Sequence, residues 1–175
     1  MWGLRSRKER GNLTEKELVT FIKENQNQFY LMAYSYVKNE QVALDVVQES
    51  IYRGFKNYRK VREPKYIKTW FCRIIINVSL DFLKKEKQLV HDEGILEQMA
   101  ISDQNDSDQN LDLYEAVNHL DFESKTIITL RFFEDMKIEE IANVMELNVN
   151  TVKSKLYRAL KILKKELIGG NVYEF

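Results

Sequence analysis

The stretch from Ile138 to Lys165, IEEIANVMELNVNTVKSKLYRALKILKK, constrains the fold of this chain more than any other. Apolar residues at Ile138, Ile141, Val144 and Met145 follow the spacing of one short buried helical face. Ala142 offers a small side chain where a second helix would cross closely. Leu147 and Val149 interrupt the period, as a tight turn with a buried apolar contact does. Asn150 and Thr151 can accept from a free backbone N–H and so start a new helix. Along it Val152, Leu156, Ala159, Leu160 and Leu163 form an inner stripe. Lys153, Ser154, Lys155, Tyr157, Arg158, Lys161 and Lys164 fall on the remaining surface. The pattern predicts a helix-turn-helix whose second helix fits the DNA major groove, its cations toward phosphates and guanine edges. A basic amphipathic helix against an acidic partner is the alternative at this point.

Composition narrows the rest. One Pro and six Gly in 175 residues argue against an all-β design, and no segment approaches a membrane span. The N-terminus, MWGLRSRKERGN, has charges but no apolar block after them, so it is expected to be a basic tail and not a secretory signal. A single cysteine, Cys72, excludes an internal disulfide and sits in a helical apolar run, where an inert buried thiol is expected. His91 and His119 lack metal-ligand spacing. With no phosphate-cradling glycine loop and no catalytic triad, the sequence implies no catalysis, metal or cofactor.

The net charge of zero hides a segregation. Residues 53–87 carry eleven Lys/Arg against three acids (Glu63, Asp81, Glu86), whereas residues 88–124 carry ten acids and no Lys or Arg. Residues 151–168 carry six cations and one acid. Two basic blocks separated by an acidic one suggest two nucleic-acid contacts on separate modules. The acidic middle, rich in Asp, Asn, Ser and Gln, cannot bury enough apolar surface to offset the entropy of ordering, which predicts a flexible linker over 89–110.

Before it the periodicity predicts four helices. The first spans about 14–23, with Thr14 and Glu17 as a capping box, and the second about 26–37. A third over 41–58 has Leu44, Val47, Ile51, Phe55 and Tyr58 inward, and Asp45, Gln48, Glu49 and Tyr52 opposite. Pro64 breaks the chain. The fourth, 66–87, turns Trp70, Phe71, Ile74, Ile75, Val78 and Phe82 inward, and Thr69, Arg73, Asn77, Lys84 and Lys85 outward. After the linker, 111–120 and 123–133 lead as two more helices into the helix-turn-helix, which Gly169 and Gly170 end. The expected architecture is all-α, in two small bundles: a tail over 1–13, units over 14–88 and 111–168, and a tail over 169–175.

The segments DVVQES at 45–50, YIKTWFCRIIINVSLDFLKK at 66–85 and IEEIANVMELNVNTVKSKLYRALKIL at 138–163, in that order, resemble the extracytoplasmic-function (group IV) sigma factors of bacterial RNA polymerase. The resemblance covers about residues 15–87 and 111–167. It implies a non-enzymatic subunit that binds core polymerase through the β′ coiled coil and the β subunit. Such a subunit directs initiation at promoters with duplex −35 and melted −10 elements, and an anti-sigma factor masks it. It implies a bacterial cytoplasmic location without stable membrane insertion, where an anti-sigma factor can hold the chain at the membrane.

Residue by residue, the resemblance assigns polymerase docking to Asp45, Gln48, Glu49 and Tyr52. It assigns −10 reading to Val61, Arg62, Arg73 and Asn77, and −35 reading to Arg131, Lys153, Ser154, Lys155, Tyr157 and Arg158. Asn150 stands where the family often has Gly, and Lys155 and Leu160 where it often has Arg. Lysine cannot form arginine's bidentate guanine contact, so the −35 sequence is expected to differ from the commonest family motif. A conventional repressor or activator keeps the helix-turn-helix but leaves the N-terminal pattern unexplained, and a helical protein adaptor is the reading without DNA.

Overall fold

Thr14 starts the first helix with the expected capping box: its Oγ1 accepts from the Glu17 N–H (3.3 Å), and the Glu17 carboxylate accepts from the Thr14 N–H (2.8 Å). The structure, a computed structural model, describes residues 12–93 and 116–168. Helix α1 runs unbroken over Glu15–Val37, where the sequence predicts two helices. The polar run at its middle sits largely on the solvent side, and Asn25 Nδ2 donates to Phe21 O at 2.8 Å without interrupting the backbone ladder. Lys38 ends α1 in the left-handed region (φ 54), and Asn39 caps α2 (Glu40–Asn57) by accepting from the Val42 N–H at 3.0 Å.

The expected inner stripe of α2 is rotated. Ala43, Val46, Val47, Ser50 and Gly54 are buried, whereas Leu44 and Phe55 are exposed. The reason is close approach. A Cβ on Gly54 would lie 2.9 Å from Phe71 Cε2, and Ser50 satisfies its hydroxyl on Val46 O (2.7 Å), so the small residues face inward. Two 3-10 turns, Tyr58–Lys60 and Pro64–Tyr66, lead into α3 (Ile67–Glu93), with Glu63 extended before the proline. Helix α3 buries Phe71, Cys72, Ile75, Ile76, Val78 and Ser79, while Trp70, Ile74 and Phe82 are only half-buried. Burial pushes the Cys72 thiol up to about 12, which matches an inert buried cysteine.

Helix α3 extends five residues into the segment expected as linker. The rest of the linker, the N-terminal tail up to residue 11, and Gly169, Gly170 and the C-terminal tail lie outside the described residues, as do 111–115 of the expected helix 111–120. Residues 116–118 are helical, and Ala116, Val117 and Leu120 are buried. Asp121 then caps α4 (Phe122–Ile128), accepting from the Ser124 N–H at 3.0 Å. A π-helical turn, Thr129–Phe133, follows and closes when Arg131 Nη1 donates to Met136 O (3.0 Å). Helix α5 (Ile138–Met145) ends on left-handed Glu146 (φ 55). Helix α6 spans Val149–Leu167. Its cap is Asn148, accepting from the Thr151 N–H at 2.7 Å, two residues earlier than the sequence suggests.

Both expected bundles are present, and they share one apolar cluster. The Tyr36 and Phe122 rings lie 5.0 Å apart across the seam, and α5 packs on α3. Polar ties add to this. Lys68 Nζ donates to Glu134 O (2.6 Å) and lies 3.2 Å from its carboxylate, and Gln28 donates to Phe133 O (3.3 Å). Buried Lys125 sits 3.4 Å from Ser35 O.

Candidate nucleic-acid and polymerase interfaces

The helix-turn-helix presents the N-terminal half of α6 outward. Val152, Leu156, Ala159 and Leu163 point into the core, which turns Lys153, Ser154, Tyr157 and Arg158 to solvent; Tyr157 is 72% exposed. Leu160, expected on the inner stripe, lies at its edge and is exposed. Asn148, Val149, Asn150, Thr151, Ser154, Lys155 and Arg158 line a concavity of about 630 Å3 at the helix start. Its donors and the unsatisfied N–H groups of the helix N-terminus suit an anionic backbone. Asn150 and Thr151 enter this surface although the sequence assigned them only to starting the helix, and Asn148, given no role by the sequence, joins them.

Two candidates on this side are already engaged. Lys155 is half-buried, its Nζ 2.6 Å from the Glu123 carboxylate on α4. Arg131, also half-buried, spends a guanidinium N–H on Met136 O. Neither bond joins residues near in helical register, so no periodicity signalled them.

The −10 candidates lie on the first unit and divide. Val61 is buried; its N–H donates to Tyr58 O and its carbonyl accepts from the Leu13 N–H, both at 2.9 Å, so its side chain faces inward. Arg62 is exposed beside it. Arg73 forms an ion pair with Glu146 of the helix-turn-helix, whereas Asn77, one turn further along α3, is exposed.

On α2 the residues Asp45, Gln48 and Tyr52 share an exposed face that Leu44 and Phe55 extend. Glu49 is half-buried and held by Arg53 Nε at 2.7 Å, and Arg53 Nη1 reaches Asp81 of α3 at 3.0 Å. The stripe therefore mixes acids, an amide, a phenol and apolar groups. The rotation of α2 that buried its small residues put Leu44 and Phe55 there, and the apolar pattern alone concealed that. Among the described residues no His, Cys, Asp and Glu group is arranged to hold a metal, and no helix is long and apolar enough to cross a membrane.

Comparison with known proteins matches two regions of the chain. Residues 21–88 match the family described as sigma-70 region 2, and residues 110–163 match sigma-70, region 4. The RNA polymerase sigma factor SigV of Bacillus subtilis (strain 168) is 45% identical over 155 residues, covering 88% of this chain and 93% of the relative. The ECF RNA polymerase sigma factor SigW of the same organism is 24% identical, covering 81% and 83%. Among solved structures, the sigma factor RpoE in complex with the anti-sigma factor NepR from Bartonella quintana matches with a TM-score of 0.75 at 22% identity, covering 88% of this chain and 98% of that one. Two regions in the family's order, with a relative this similar over nearly its whole length, make the chain a member of the extracytoplasmic-function sigma-70 family, the RNA polymerase sigma factors that direct initiation at specific promoters.

Proposed function

We propose that α2 docks on core polymerase through Leu44, Asp45, Gln48, Tyr52 and Phe55, with Glu49 contributing once it leaves Arg53. The partner surfaces are the β′ coiled coil and, for the second unit, the β subunit. Duplex −35 DNA lies against α6, contacted by Lys153, Ser154, Tyr157 and Arg158, with Lys155 and Arg131 behind them. Melted −10 DNA lies along Arg62, Arg73 and Asn77, where Val61 shapes the loop from beneath. The working units are 14–88 and 111–168. The chain acts without catalysis of its own and without a cofactor, in the bacterial cytoplasm.

The observation that carries this reading is the outward row on α6 at the mouth of the helix-turn-helix concavity. An anti-sigma factor regulates the chain. Structures of similar proteins hold such partners, RpoE with NepR and CnrH with the cytosolic domain of CnrY. One anchored in a membrane would keep the chain there.

Run-off transcription with purified bacterial core polymerase and a promoter library tests the reading. Specific initiation supports it. Duplex binding without initiation would indicate a conventional repressor or activator, and neither outcome would leave a protein adaptor. In the same system Asn77→Ala should impair strand opening, seen by permanganate footprinting, more than duplex binding, and equal losses would remove Asn77 from the −10 surface.

A further inference from the structure

We propose that Glu123 is a specificity-determining residue for DNA binding: it holds the Lys155 ammonium on the shoulder of α4, withholds that charge from phosphates, and leaves α6 to discriminate by its other side chains. The inference rests on α6 being the DNA-facing helix.

Three observations carry it. Lys155 Nζ lies 2.6 Å from Glu123 Oε2, and of the five candidate residues on α6 Lys155 alone is not exposed. Glu123 occupies the second position of α4, where the free N–H groups of a helix start favour a carboxylate. Asp121, which accepts from the Ser124 N–H at 3.0 Å, also feels this ammonium, but Glu123 is the carboxylate in direct contact with it. Packing of α4 against α6 brings the two residues together.

The consequence follows from counterion release. A lysine that neutralises a phosphate expels a cation and steepens the salt dependence of binding; a lysine already neutralised by a carboxylate does not. Phosphate contact is sequence-blind, so a freed Lys155 would strengthen binding to every duplex alike. Glu123 thus keeps nonspecific binding low. An ion pair this exposed contributes little to stability, so its removal can be tested without unfolding the chain.

The test uses the full-length chain and a labelled mixed-sequence duplex, with affinity followed by fluorescence anisotropy from about 50 to about 200 mM NaCl. Glu123→Gln should tighten binding and steepen the slope of log K against log salt by about 0.9, so its advantage over wild type shrinks about threefold across that range. In a Lys155→Met background the same substitution should leave the slope unchanged. An unaltered slope with Lys155 present overturns the inference. So does equal steepening in both backgrounds, because loss of the acid's own repulsion would then be the cause. Arg158→Ala separates the two levels of argument. If it weakens binding while the Glu123 cycle fails, only the role of Glu123 falls; if it has no effect, α6 is not on the duplex and both readings fall.

Discussion

The two units are held together in different ways. In the first, the rings of Phe21, Phe29 and Phe71 lie 4.6–5.9 Å apart and join α1 to α3, while α2 closes on them with small residues. In the second, the fully buried large side chains Ile127, Leu130, Ile141 and Val152 are aliphatic, and the ring of Phe122 turns across the seam to Tyr36. The second unit, matched over residues 110–163, is of a size at which a hydrophobic core by itself gives marginal stability. It leans on the first unit for apolar cover and for partners to Glu134, Lys125 and Phe133. An anchored platform with a small reading head braced against it is the arrangement that results.

The strongest way to break this contrast is Phe71→Ala. Phe71 is wholly buried and touches both other rings, so its truncation should cost about 3–5 kcal/mol. In urea titrations the loss should appear in both units, because the second loses its support when the first melts. Melting of the first unit alone would mean that the second stands by itself.

Next in size is the polar brace. Lys68→Met leaves the Glu134 carboxylate, 4% exposed, without its cation and should cost about 2–3 kcal/mol at neutral pH. Burial already raises the Glu134 carboxyl above its ordinary value, against the opposing effect of Lys68. A carboxyl raised on folding binds its proton more tightly in the folded chain, so this contribution to stability falls as pH rises through the interval between the unfolded and folded values. Without Lys68 the interval widens, and the deficit of Lys68→Met should shrink on acidification as Glu134 protonates. Adding Glu134→Gln should restore most of the loss at neutral pH in thermal melts. A deficit that neither acidification nor Glu134→Gln relieves would show that the brace is packing and not charge.

Phe122→Leu keeps apolar volume but removes the ring pair with Tyr36, worth about 0.5–1.5 kcal/mol beyond buried area. Faster hydrogen exchange in α4–α6, with α1 and α2 unchanged, is the expected signature. Equal acceleration throughout would contradict a one-sided dependence.

What the sequence revealed of this contrast depends on how local each signal is. The Thr14–Glu17 capping box and the inner face Val152, Leu156, Ala159 and Leu163 were legible, because each is set within a turn or two of helix. The face of α2 was misjudged: counting apolar residues favours Leu44 and Phe55, whereas close packing against Phe71 favours Gly54 and Ser50. The α1 break and the position of the α6 cap failed at the level of single polar residues, where several could serve. The pairs that decide which cations are free, Arg73–Glu146, Lys68–Glu134 and Lys155–Glu123, join residues from different elements and leave no periodic trace. The residue types of the candidate surfaces could therefore be named from the chain, but not their state of engagement.

The smallest expected effect supplies the control for the brace. Arg53 forms the same kind of tie within the first unit, to Glu49 at 2.7 Å and to Asp81 at 3.0 Å, but all three side chains are 38–47% exposed. Water and salt screen such a pair, and a helical i,i+4 partner is worth about 0.3–0.5 kcal/mol, so Arg53→Gln should cost less than about 1 kcal/mol. Added salt should narrow the difference further. The Lys68 tie differs chiefly in the burial of its carboxylate, since Lys68 is itself 43% exposed. A loss from Arg53→Gln as large as that from Lys68→Met would mean that the carboxylate's burial does not set the strength of the seam, and that the dependence of the second unit on the first has another origin.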